Sequence, residues 1–153
     1  MPLRERFTED LKTAMKAGDK ARLSTIRLIQ AALKDKDIEA RGQGKDPVSE
    51  DEILALLQKM VKQRQESVAI YEQNDRPELA AQEKGEIEVI SSFLPQQLGE
   101  AEVDAAIAAA IADTGAASVK DMGKVIAKLR ADYAGRMDFG KVSPRVKDKL
   151  SAG

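Results

Sequence analysis

Apolar residues along this chain recur every three or four positions and never alternate, a pattern that predicts helices and no strands. Phe7, Leu11, Ala14 and Met15 mark a first amphipathic helix that Gly18 ends. Asp19 is placed to cap a second, which carries Leu23, Ile26, Ile29 and Leu33 and runs to about Ala40. Residues 41–47, RGQGKDP, read as a loop, with Gly42 and Gly44 making it the most mobile stretch of the first half. Ser49 and Glu52 form a capping-box pattern, with acids placed where the helix dipole favours them. The third helix then reaches Gln73, with Ile53, Leu57, Met60, Val61, Val68 and Tyr71 on one face. Residues 74–77 turn the chain. A fourth helix points Leu79, Ile87, Ile90 and Leu94 inward, and Pro95 stops it.

From Gln96 the composition turns alanine-rich. Val103, Ala106, Ile107, Ala110 and Ile111 predict a compact helix ending at Gly115, whose small side chains let a neighbour approach closely. Ser118 and Asp121 fit an S-x-x-D helix start, followed by Met122, Val125, Ile126, Leu129 and Tyr133 on one face. Gly135 and Gly140 bracket a turn holding Arg136 and Phe139, and Ser143-Pro144 predicts the start of a last helix facing Val146 and Leu150 inward. The expected fold is all-α: a four-helix module over residues 1–95, then a three-helix module over residues 96–153.

Charge changes this picture by its distribution. The net charge of −1 gives no whole-molecule field, but residues 1–45 carry eleven Lys and Arg against seven Asp and Glu. Residues 46–95 carry five against eleven, and residues 118–153 nine against four. Such segregation permits a local anion site. With neither cysteine nor histidine, disulfides, thiol chemistry, the usual zinc sets and the near-neutral general base are all absent. No cofactor and no metal is expected. The longest apolar run is too short to cross a bilayer, and the start MPLRERFTED is too charged for a signal peptide, so a soluble cytoplasmic protein without membrane partners is expected.

Catalytic constellations do not emerge. Acid pairs such as Glu86 with Glu88 and Asp35 with Asp37 lie in highly charged helices and read as solvated faces. Serines lack an activating histidine. No catalytic residue is assigned. Arg64 stands out because its helical phase sets it within the Leu57–Val61–Val68–Tyr71 stripe, where an unpaired charge is costly. Glu83 occupies the matching place on the fourth helix and Glu86 the edge of the same face. An ion pair of Arg64 with Glu83 or Glu86, fixing the helix register, is expected; a substrate-anchoring arginine is the functional alternative. The sharper candidate is a basic tail: Lys120, Lys124 and Lys128 on one helix, Arg136 and Lys141 at the turn, and Arg145 and Lys149 on the last helix. Converging on phosphates, these seven would give salt-dependent affinity without base readout. The few aromatics fall at core phases, which favours structured RNA over stacked single strands. A second cluster, Lys20, Arg22, Arg27, Lys34 and Lys36, surrounds the second helix.

The segment DMGKVIAKLRADYAGRMDFGKVSPRVKDKL resembles the C-terminal motif of the GatB/YqeY family, shared with the tail of the B subunit of glutamyl-tRNA amidotransferase. The blocks RLSTIRLIQAALKDKDIEA and KMVKQRQESVAIYEQNDRPELAAQEKGEIEVISSFLPQQL extend the likeness to the free-standing YqeY-like proteins, over nearly the whole chain. One difference is Met137-Asp138-Phe139, bulkier than the small residue, Asp and Gly that relatives tend to carry. The resemblance implies a tRNA-binding accessory protein without chemistry of its own, its grip falling on Lys124 and residues 141–149. It also implies two alternatives: an assembly module for an amidotransferase or synthetase partner, and a part of a carbon–nitrogen ligase using glutamine as amide donor.

Overall fold

The computed structural model describes residues 1–152 and is all-α: seven helices and one 3-10 turn, with no strand among the described residues. The chain divides into two compact units, residues Met1–Leu94 and a second from Pro95 onward.

The first unit holds α1 (Leu3–Ala17), α2 (Lys20–Gly42), α3 (Glu50–Gln73) and α4 (Pro77–Ser91). Gly18 closes α1 at φ +69°, a left-handed conformation that costs an L side chain strain, and its amide returns to the Ala14 and Met15 carbonyls. Asp19 Oδ1 accepts from the Arg22 amide and opens α2 one residue later. At α3 the full capping box forms: Ser49 accepts from the Glu52 amide while Glu52 accepts from that of Ser49. The core joins Leu3, Phe7, Ile26, Ile29, Leu33, Ile53, Leu57, Met60, Ile90 and Phe93. Phe7 and Phe93 meet edge to face with centroids 4.9 Å apart, an arrangement that suits their quadrupoles. Phe93 explains why α4 ends at Ser91, short of the expected stop at Pro95. The chain leaves the helix so that this ring enters the core, while Ser92 Oγ donates to the Val89 carbonyl at 2.6 Å.

The second unit holds α5 (Glu100–Thr114), a 3-10 turn (Val119–Asp121), α6 (Met122–Tyr133) and α7 (Phe139–Ala152) around a core of Val103, Ile107, Val125, Leu129, Met137, Val142, Val146 and Leu150. Two helix starts differ from those the sequence suggested. Ser118 makes no capping bond; the Asp121 carboxylate instead accepts from the Ala117 amide at 3.0 Å, and the 3-10 turn precedes α6. The last helix begins at Phe139, not at Ser143-Pro144, because Asp138 Oδ1 holds the Gly140 amide at 3.0 Å and Val142 already faces the core. Pro144 therefore lies inside α7, where its missing N–H leaves the helix one bond short. Nearby, Ser143 Oγ donates to the Phe139 carbonyl at 2.8 Å.

Candidate nucleic-acid interface

The turn between α6 and α7 sets the basic tail's geometry. Gly135 is buried at φ +75°, which reverses the chain in the space of one residue. Its carbonyl accepts from Gln97 Nε2, and the Leu98 amide donates to the Arg136 carbonyl at 2.9 Å. The bulky Met137 that distinguishes this turn goes into the core and is 3 % exposed.

Three of the seven predicted cations are engaged within the unit. The Arg136 guanidinium donates from Nε to the Gln96 carbonyl at 3.0 Å and lies 5.8 Å from the Tyr133 ring centroid, so it clasps the segment leading into α5. Lys128 Nζ meets Asp132 Oδ2 at 3.1 Å, one turn along α6, and that carboxylate pushes the lysine pKa above its ordinary value. Arg145 Nη2 is paired with Asp104 of α5. Arg136 and Arg145 thus tie separate elements of the bundle, whereas the Lys128 pair stays within α6 at its surface.

The other four, Lys120, Lys124, Lys141 and Lys149, are exposed and form no ion pair among the described residues. Lys120 sits in the 3-10 turn rather than on α6, so it does not continue the i, i+4 row of Lys124 and Lys128. The Ala117 amide first, then the Ser118 amide and Lys124, hold Asp121 below the usual carboxylate range. On α7, Lys141, Arg145 and Lys149 stand one turn apart in a line beside Val142, Val146 and Leu150. Lys147, which the spacing of basic residues did not single out, is also exposed on α7. Arg130 covers Phe139 at 5.2 Å from the ring centroid, which spends that cation on an aromatic face.

In the first unit, Arg64 Nε lies 3.3 Å from Glu86 Oε2 and 4.0 Å from Glu83 Oε2, and Nη1 donates to the Met60 carbonyl at 3.2 Å. Burial, and then the neighbouring Glu86 charge, raise the Glu83 pKa; Arg64 opposes them. With two acids and a carbonyl on it, this guanidinium serves the α3–α4 hairpin. Among the described residues no group of three or more metal-ligating side chains comes together. Among the described residues no helix is long and apolar enough to cross a membrane.

A two-unit, all-helical protein whose tail bundle exposes lysines defines the class. The chain belongs to the Yqey-like protein family, whose model matches residues 4–150. It is similar to "Altered inheritance of mitochondria protein 41, mitochondrial" from three yeasts. The Lachancea thermotolerans protein is 40% identical over 101 residues, covering 65% of this chain and 52% of that protein. That of Saccharomyces cerevisiae is 33% identical over 95 residues, covering 62% and 50%. The Vanderwaltozyma polyspora relative is 33% identical over 86 residues, covering 56% and 45%. The chain thus spans about half the length of the curated relatives it matches.

Proposed function

We propose that this protein is a tRNA-binding accessory factor that performs no chemistry itself and grips folded RNA through its tail bundle. The observation that carries the reading is the set of exposed, unpaired lysines Lys120, Lys124, Lys141 and Lys149 in a segment where cations outnumber acids nine to four. Arg136 and Arg145 serve as structural clasps and Lys128 is paired with Asp132 of its own helix, so the grip narrows from seven cations to four. Binding of this kind follows the phosphate backbone and the shape of a folded RNA, and weakens steeply with salt.

Reversing two charges tests it. Lys124→Glu together with Lys141→Glu is expected to weaken binding of bulk tRNA at least tenfold and to lower the salt slope by about one for each phosphate no longer engaged. Both side chains are exposed and the pull of Lys124 on Asp121 is a surface interaction, so the thermal melt should shift only slightly. Unchanged affinity in a folded double variant rules the tail out as the gripping surface.

A second reading, docking on an amidotransferase or synthetase partner, rests on residues 46–95, where eleven acids face five cations. Retention of a protein partner after nuclease treatment favours it over the first. The setting proposed is the cytoplasm; the relatives' names make the mitochondrion the competing compartment.

A further inference from the structure

The tail is not the only cationic surface. On α2, Lys20, Arg27, Lys34 and Arg41 recur every seven residues, and all four are exposed. A seven-residue step rises about 10.5 Å and drifts only about 20° around the helix, so the four form a row about 31 Å long. Arg27 and Lys34 lie about 100° around the helix from the adjacent buried Ile26 and Leu33, so the row runs outside the core-facing arc.

A solvated helix face is ordinarily laced with acids three or four residues from its lysines. Here every position three or four residues from these four cations is uncharged or basic, with Asp37 the sole exception. Asp37 is already taken by the Arg4 guanidinium and the Val48 amide. Glu39 is paired with Lys36, and Arg22 with Asp10. None of the row's cations forms an ion pair among the described residues. Lys20 also stands in the first helical turn, where the helix dipole disfavours a cation, so helix stability does not account for it.

We propose that the outer face of α2 is a second phosphate-backbone contact, laid along a duplex segment of folded RNA. This deepens the RNA-binding reading and rests on it for the ligand's identity. The charge and regular spacing complement a polyphosphate. The apolar residues on this face, Leu28 at 41% and Ile38 at 56% exposure, stand apart and lack the aromatic anchors of a protein hot spot. The helix's wide apolar face is turned to the core, unlike that of a helix lying in a lipid interface.

The test uses the full chain carrying Arg27→Gln and Lys34→Gln, with bulk tRNA as probe and salt varied between about 50 and 200 mM. Circular dichroism melting verifies that these exposed substitutions leave the fold intact. The slope of log affinity against log salt is expected to fall by about two, at about 0.9 for each phosphate released from the protein. The same drop is expected in the Lys124→Glu, Lys141→Glu background. An unchanged slope in the α2 variant, with the tail variant still impaired, overturns this proposal and leaves the tail reading standing. The reverse result removes the tail and keeps α2. Failure of the wild-type chain to bind tRNA ends both. If tRNA binding is unchanged and the α2 variant instead loses binding to equal-part phosphatidylcholine–phosphatidylserine vesicles, or to an acidic protein partner, the face serves another ligand and the proposal falls.

Discussion

At the scale of single residues, Arg64 shows how a buried charge is used. Its side chain is 16% exposed, as is that of Glu86, with Glu83 at 21%. Breaking such a pair from the cationic side leaves two acids without compensation, so Arg64→Met is expected to cost about 3 kcal/mol at neutral pH. The two acids are not equivalent. Glu83 has a raised pKa, so its ionised form is disfavoured in the folded state. The penalty is absent below the ordinary value of 4.5, grows as pH rises through the folded value, and stays constant above it. Glu83→Gln should therefore raise the melting temperature at neutral pH and leave it unchanged near about pH 4, whereas Glu86→Gln should lower it at neutral pH. Equal losses from both Gln variants in thermal melts would defeat this division. Helical phase brings Arg64 opposite two acids in the sequence itself; the division of labour between them depends on distances that phase does not contain. The same holds for the tail. Lysine spacing is visible in the chain, and so is the Lys128–Asp132 pair, four residues apart on one helix; the partners Asp104 and the Gln96 carbonyl, which occupy two more of the seven cations, are set by packing.

Elements were legible wherever a stop or start signal acts alone. Gly18, Asp19, the Ser49–Glu52 box and Gly115 mark helix ends where the structure has them. The signals misled where two starts competed. Ser118 has the right spacing to Asp121, yet the carboxylate turns back to the Ala117 amide and the hydroxyl caps nothing. Ser143-Pro144 has the form of a helix start, but Asp138 offers one five residues earlier that also buries Val142. α4 is cut short by Phe93, whose place in the core outweighs three more residues of helix. The contrast between two serines makes this measurable. Ser49→Ala removes a formed capping bond and is expected to cost about 1 kcal/mol. Ser118→Ala removes none and should stay within about 0.5 kcal/mol of wild type. Urea midpoints of the two variants decide; similar losses would mean that the Ser118 hydroxyl caps after all.

For the whole molecule, near-neutral net charge conceals opposed segments, and acid acts on them through the contacts that close the first unit. Arg4 donates twice to Asp37, both at 2.8 Å, and once to the Val48 carbonyl at 2.9 Å, while the Val48 amide returns to Asp37 Oδ1 at 2.9 Å. The Leu3 amide reaches Glu50 Oε1 at 2.9 Å. One carboxylate thus ties the start of α1 to α2 and to the chain entering α3. The Arg4 hydrogen bond first, then the Val48 amide, lower the Asp37 pKa from 3.8 to about 2. A depressed acid lends stability that is fully present above its unfolded value and is lost as pH falls through the folded one. Glu52, Glu78 and Asp121, also lowered, act in the same direction, while Glu83 acts against them. Stability should therefore decline on acidification from about pH 4 toward pH 2. Because Arg4 is partly in solvent, the clamp is discounted to about 1–2 kcal/mol. Asp37→Asn should lose that amount at neutral pH, and its deficit should shrink toward zero across the same acid window. Denaturant midpoints measured at stepped pH provide the check: a deficit that stays constant down to about pH 2 would show that the aspartate is not the group whose protonation opens the unit.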